Sequence, residues 1–440
     1  MKQTIIFLGM IYVLVLCAGC GRQKISQTGT KYENTDTQAS DYVRIDTKEC
    51  ENKSKDITES LENLPIETTY WVEEGREEAE NQQIVREQFD LRIEEWLNQL
   101  TIEEKAAQLF VILPEVFSFY DCVTFVDESM RQSIREIPVG GFIFLEQNLI
   151  SAEQTKEMLA ELQGLETQRI GLPVFLCVDE EGGSVTRIGG RENFDVPYVG
   201  DMSDIGATQN IENAYEAGNT IGQYLSELGL NVNFAPVADV WSNPENQVVR
   251  YRSFGTDTKL VADMCAAFSG GLQQWNIYAV WKHFPGHGAT AADTHQGYAY
   301  TNKTLQELQL CELVPFQRGI EEGIKFIMAG HISLPNVTGD HTPASLSGIM
   351  LNQILREQMG YDGIIITDAM NMGAIVQNFD SAEAAVQAIL AGADMILMPA
   401  DFYSAYQGVL EAVGNQQITI ERLDESVRRI LKVKLNYVFP

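Results

Sequence analysis

From residue 109 to the C-terminus, short apolar runs alternate with longer segments in which apolar positions recur every three or four residues. The runs 109–113, 140–145, 173–178, 232–236, 277–281, 325–329, 363–367 and 394–398 are short enough for buried strands. Helix punctuation stands between them. Thr101 with Glu104, Ser151 with Gln154 and Thr304 with Glu307 have the spacing of helix-opening caps. Gly229, Gly360 and Gly392 stand where the helical patterns near 211–228, 347–359 and 382–390 stop. A further helix is predicted near 258–275, and order begins with one over 82–98, where Ile84, Phe89, Ile93, Trp96 and Leu97 share roughly helical spacing. Eight strand–helix units predict a closed parallel barrel of the (β/α)8 TIM type over an open doubly wound sheet. No GxGxxG follows any of the runs, which removes the main signal for a dinucleotide fold.

Ionisable residues recur where the predicted strands end: Asp179 after the third, Asp239 after the fourth, Lys282-His283 after the fifth, His331 after the sixth, Asp368 after the seventh. In a barrel those ends share one face, so residues distant in sequence converge on one pocket. The stretch 282–295, KHFPGHGATAADTH, holds three of the five histidines. Lys282 and His283 are expected where the strand gives way to a loop. Pro285, Gly286 and Gly288 exclude a regular helix there, and the small residues that follow predict a mobile segment bearing Asp293, Thr294 and His295.

The N-terminus is different in kind. Lys2, an apolar run over 5–16 and Ala18-Gly19-Cys20 resemble a bacterial lipoprotein signal, in which Cys20 is lipidated and becomes the mature N-terminus, although Cys17 replaces the usual leucine. The expectation is a signal peptide over 1–20, a flexible acidic tether over 21–81 too polar to bury a core, and a catalytic domain over 82–440. An exported protein, anchored by lipid to the outer face of a bacterial membrane, follows. The net charge of −31, from 62 acidic and 31 basic residues, argues against a nucleic-acid partner. Cys50, Cys122, Cys177, Cys265 and Cys311 form no C-x-x-C pair and predict neither a metal site nor a disulfide framework. A monomer is expected.

The ordered motifs Thr101-Ile-Glu-Glu-Lys105, Asp179-Glu-Glu-Gly-Gly183 with Arg187, Asn233-Phe-Ala-Pro-Val-Ala-Asp239, Arg252-Ser-Phe-Gly255, Lys282-His-Phe-Pro-Gly-His-Gly288, Asp293-Thr-His295 and Ile366-Thr-Asp368 resemble glycoside hydrolase family 3. The likeness is to its β-N-acetylhexosaminidase branch, which acts on peptidoglycan fragments. It implies that Asp368 is the nucleophile that forms a covalent glycosyl-enzyme, and that His295, held by Asp293, protonates the leaving oxygen and then activates water. Such an Asp-His dyad departs from the usual pair of carboxylic acids. The resemblance also implies that Asp179, Arg187, Arg252, Lys282 and His283 bind the sugar, that Asp239, His287 and His331 support them, and that no metal or cofactor takes part. Ser184 stands where the family often has arginine, and Gly330 where it has alanine or serine, which bears on substrate preference. Many β-glucosidases of the family take their acid from a second domain; the end of this chain at Pro440 favours His295 instead.

The implied activity is retaining removal of terminal β-linked N-acetylglucosamine. Its rivals are a β-N-acetylglucosaminide phosphorylase, a β-glucosidase of the same family, a metalloenzyme using His283, His287, His295 and Asp179, and a sugar-binding lipoprotein without turnover. The Pro285-Gly286 break between His283 and His287 counts against the metal site.

Overall fold

Eight parallel strands, almost wholly buried, carry the architecture, and the computed structural model describes them within residues 66–290 and 299–438, with side chains at 83–290 and 299–437. The expected signal segment with Cys20, the first part of the tether, and Asp293 and His295 lie outside the described residues. In chain order the strands are β1 (Phe110–Ile112), β2 (Gly141–Phe144), β3 (Phe175–Val178), β4 (Val232–Asn233), β5 (Tyr278–Phe284), β6 (Ala299–Tyr300), β7 (Phe326–Ala329), β8 (Ile332–Ser333), β9 (Ile364–Thr367) and β10 (Ile396–Leu397). The main sheet runs β10-β1-β2-β3-β4-β5-β7-β9. Its two ends meet. Ile366 and Met395 form a parallel bridge, and Thr367 N–H donates to the Met395 carbonyl at 3.0 Å, which closes the ring. The fold is therefore the (β/α)8 barrel that the alternation predicts.

The strands read as continuous apolar runs because helices cover one face and the barrel interior the other. Pairing is in step: Phe144 stands opposite Val178, and Ala329 opposite Thr367. The side chains that follow these residues accordingly rise from one face. The helix caps appear as expected. Thr101 Oγ1 accepts from Glu104 N–H at 3.2 Å while Glu104 Oε2 accepts from Thr101 N–H at 2.9 Å, a reciprocal pair of the kind worth about 1 kcal/mol. The helices Ile211–Leu228 and Ser381–Ala391 end on Gly229 and Gly392, whose φ of 96° and 117° lies where a β-carbon is disfavoured.

Four details depart from the expectation. β5 does not stop at Trp281 but continues to Phe284, so Lys282 and His283 lie inside the strand. A charge ends an apolar run on paper; here carboxylates after β3 and after β4 receive both side chains, so the strand goes on. β4 covers two residues, and its pairing with β5 resumes as a single bridge between Val237 and Lys282. The helix predicted near 347–359 is wound as a π-helix over Ile349–Gln358. The first helix, Ile66–Gln99, begins within the polar stretch assigned to the tether. β6 and β8 pair with each other outside the barrel, Ala299 with Ile332 and Tyr300 with Ser333. Among the described residues no helix is long and apolar enough to cross a membrane.

Candidate active site

Asn233, the last residue of β4, fixes how the chain leaves β3. Its Oδ1 accepts from Glu180 N–H at 3.0 Å and its Nδ2 donates to the Glu180 carbonyl at 2.8 Å. That constraint turns three successive carboxylates in three directions. Asp179 points into the barrel mouth. Glu180, with no exposed surface, turns beneath the following loop and accepts N–H groups from Arg187 at 2.6 Å, Ile188 at 3.0 Å and Gly189 at 2.8 Å, with the Tyr224 hydroxyl at 2.8 Å. Burial still pushes its carboxyl above the usual range against those donors. Glu180 thus staples the loop that presents Arg187, whose half-buried guanidinium reaches the mouth without a hydrogen bond to any described side chain.

Glu181 is the centre of a charged cluster. It takes a two-pronged contact from Arg252, Nε to Oε2 and Nη2 to Oε1, each at 2.8 Å, and a third bond from Lys282 Nζ at 2.6 Å. Lys282 Nζ also lies 2.6 Å from Asp179 Oδ1. Burial alone would raise the Glu181 carboxyl, but Arg252 and Lys282 outweigh it and hold it far below the ordinary range. Lys282 is raised despite its burial, through Asp179 and Glu181. Glu181, Lys282 and Arg252 are therefore ionised at neutral pH.

Asp239, buried after β4, organises the next strand end. Its Oδ2 lies 2.7 Å from His283 Nδ1, while Oδ1 accepts the backbone N–H of His283 at 3.2 Å and of His287 at 2.6 Å. His283 and His287 rings stand 5.8 Å apart, edge to face. Burial, and then His283, depress the His287 imidazole against the pull of Asp239, which favours a neutral ring. Asn246 braces the turn by donating to the His287 and Thr290 carbonyls at 2.9 Å each. Gly288 is required here, since a β-carbon would sit 1.9 Å from the Val240 carbonyl oxygen.

Asp368 follows β9. Its N–H donates to the Ala329 carbonyl at 2.9 Å, and its Oδ1 accepts from Ala369 N–H at 2.8 Å. The buried His331 supports that turn, with Nε2 3.0 Å from the Ala369 carbonyl and Nδ1 2.8 Å from Ser345 Oγ. Burial would raise the Asp368 carboxyl, yet His283, His331, the Ala369 amide and Lys282 together hold it below its ordinary value. It is an anion facing the mouth.

One cavity of about 290 Å³ gathers these groups: Asp179, Arg187, Arg252, Lys282, His283 and Asp368 all line it, with Glu181 and His287 beside them and Phe234, Met372 and Met398 as apolar wall. That volume is near the lower end for small-molecule sites. Every expected sugar-binding side chain and the expected nucleophile share it; Asp293 and His295 lie outside the described residues. Sequence reasoning passed over Glu181, Asn233 and Asn246. The available signal for Glu181 was its place among three successive carboxylates where a strand ends. Among the described residues no three of His, Cys, Asp and Glu are arranged to hold a metal ion. A fixed anion beneath a cavity rimmed by donors and acceptors for hydroxyl groups suits attack on an electrophilic carbon of a polyol.

Comparison with known proteins gives a consistent picture. Residues 101–433 match the model of the glycosyl hydrolase family 3 N-terminal domain. The chain is 33% identical over 341 residues to the beta-hexosaminidase A of Pseudoalteromonas piscicida, covering 71% of this chain and 56% of that protein. A solved glycoside hydrolase family 3 beta-N-acetylglucosaminidase from a Paenibacillus species superposes with a TM-score of 0.72 at 35% identity, over 77% of this chain and 63% of the other. A beta-glucoside phosphorylase superposes with a TM-score of 0.71 at 26% identity, over 80% and 62%. The chain spans less than two thirds of each of these three proteins.

Proposed function

The chain belongs to glycosyl hydrolase family 3, and from that premise we propose that it is a retaining β-N-acetylhexosaminidase, removing terminal β-linked N-acetylglucosamine from peptidoglycan fragments or related glycoconjugates. The observation that carries the reading is the single cavity in which a low-pKa Asp368 faces the Asp179–Lys282–Glu181–Arg252 cluster. Asp368 attacks the anomeric carbon, and the bond to the leaving oxygen breaks as that oxygen takes a proton from His295. His295, now neutral, removes a proton from water, which attacks the glycosyl-aspartate and regenerates the carboxylate. An imidazole suits both proton transfers because it titrates near neutral pH, and Asp293 supports its cation. His295 lies five residues beyond Thr290, which Asn246 ties to the His287 turn at the cavity wall. A reach of at most ~18 Å from that anchor makes the meeting with a sugar on Asp368 sterically reasonable. Asp179 and the cations around it supply acceptors and donors for the sugar hydroxyls.

The beta-hexosaminidase and beta-N-acetylglucosaminidase relatives support the acetamido sugar. The similarity to a phosphorylase keeps a second reading in view, in which phosphate replaces water in the second step. One experiment separates them: hydrolysis of paired aryl β-N-acetylglucosaminide and aryl β-glucoside, with phosphate varied. Preference for the acetamido sugar without a phosphate requirement supports the hydrolase; release of sugar 1-phosphate overturns it. The lipoprotein-like N-terminus supports a site of action at the outer membrane face through a lipidated Cys20. Release of a Cys20→Ala variant from the membrane fraction tests that.

A further inference from the structure

Among the described residues, every exposed aromatic side chain except Tyr437 stands on a segment that follows a barrel strand on the face where the cavity opens. The densest group is on the segment after β1, where Phe119 is 91% exposed, Tyr120 55% and Phe125 54%. Tyr198, Tyr251 and Tyr403 follow β3, β4 and β10. Leaving a phenylalanine almost wholly in water is unfavourable, and apolar surface concentrated on one face marks a binding site. The platform is firm. Tyr120 and Phe125 rings lie 5.6 Å apart, Tyr120 N–H donates to Ser118 Oγ at 3.1 Å, and Ser118 pairs with Asp127.

It is also joined to the cavity wall. Leu145, which lines the cavity, donates its N–H to Asn148 Oδ1 at 2.9 Å, and Asn148 Nδ2 donates to the Val123 carbonyl at 2.9 Å and Glu115 Oε1 at 2.6 Å. Arg191 continues the rim, donating to the Leu149 carbonyl at 2.8 Å and the Arg187 carbonyl at 2.7 Å. The charge pattern selects the occupant. Residues 113–127 carry Glu115, Asp121 and Asp127 and no lysine or arginine, in a chain of net charge −31, which disfavours an anionic bilayer surface. A neutral glycan has no such penalty, and the apolar faces of its pyranose rings match flat aromatic rings.

We propose that Phe119, Tyr120 and Phe125 form a second carbohydrate-binding surface, which stacks on sugars of the leaving chain beyond the residue that is cleaved. The substrate class is then an extended β-linked glycan. The proposal rests on the glycosidase reading above, and the test keeps the two apart. The full chain is compared with a Phe119→Ala/Tyr120→Ala variant and with Phe125→Ala on an aryl β-N-acetylglucosaminide and on a β-linked N-acetylglucosamine hexamer. The double variant should lose roughly tenfold in kcat/KM on the hexamer, mainly through KM, and change less than about twofold on the aryl substrate. Equal loss on both, or none on the hexamer, overturns the proposal. Calorimetric titration of the hexamer into an Asp368→Asn background reads binding without turnover. If neither substrate is cleaved, the glycosidase reading fails, while weaker hexamer binding after the aromatic substitutions still upholds this surface and unchanged binding sinks it. Binding of the parent, but not of the double variant, to phosphatidylcholine vesicles would assign the rings to a bilayer and overturn the proposal.

Discussion

Glu181→Gln is the sharpest test of how the cavity is held together, because it keeps the shape of the side chain and deletes one charge. Arg252 would lose its two-pronged anion and Lys282 one of its two, while their side chains remain only 15% and 3% exposed. Removing one member of a buried ion pair costs about 3–5 kcal/mol, since the partner is left charged without compensation. Asp179 still engages Lys282, so the lower end, about 3 kcal/mol, is expected. At roughly 2 °C per kcal/mol for a large domain, the melting temperature should fall by about 6 °C at pH 7. Scanning calorimetry reads this directly. The pH dependence has a definite sign. A carboxyl whose pKa is lower folded than unfolded contributes in full above its unfolded value, near 4.3, and loses that contribution as pH falls toward the folded value. The gap between parent and variant should therefore narrow below about pH 4. A melting point within about 1 °C of the parent at pH 7, or a gap that widens on acidification, would refute the reasoning.

Asp368→Asn should lower kcat on an aryl β-N-acetylglucosaminide by on the order of 10⁴-fold or more; a loss of less than tenfold would remove Asp368 as nucleophile. His295→Ala should depress kcat/KM far more for substrates with poor leaving groups than for activated aryl glycosides, and parallel losses would exclude it as the acid. Glu180→Gln turns one acceptor into a donor facing backbone N–H groups, so KM should rise several-fold through displaced Arg187 with kcat less affected; an unchanged KM would show that the staple does not set that side chain. Away from the mouth, burial pushes Glu166 up to about 8 and Lys434 down to about 7. The Glu166 contribution to stability is present below about pH 4 and lost as pH rises to about 8, whereas that of Lys434 is present above about pH 10 and lost as pH falls to about 7. Stability should pass a shallow minimum near neutral pH, and Lys434→Met should abolish the rise on the alkaline side in a series of melts.

The barrel was legible because the strands are built around short apolar runs and helices between them carry their own starts or stops, as Thr101, Thr304, Gly229 and Gly392 show. The sharing of one mouth by Asp179, Arg252, Lys282 and Asp368 was legible for the same reason, since parallel strand ends fix a face. What stayed hidden depends on partners distant in sequence. Lys282 and His283 continue β5 only because Asp179, Glu181 and Asp239 wait on the neighbouring strand ends, and no local pattern reports such compensation. β6 and β8 pair over two residues each, too briefly for a period to register. The three directions taken by Asp179, Glu180 and Glu181 are set by Asn233 from another strand. Residue type alone could not distinguish wall from staple.

The tight seat of Gly288 against Val240 has a practical corollary for protein engineering. The segments leaving β4 and β5 are cut to each other's outline: Asn243 N–H reaches the Gly288 carbonyl at 3.0 Å, and Ala238 N–H reaches that of Lys282 at 2.6 Å. Either one transplanted alone into a sister barrel would collide with its host or leave main-chain groups unmet. Chimeras intended to exchange specificity should move the two as a cassette, with the junctions placed inside the flanking helices.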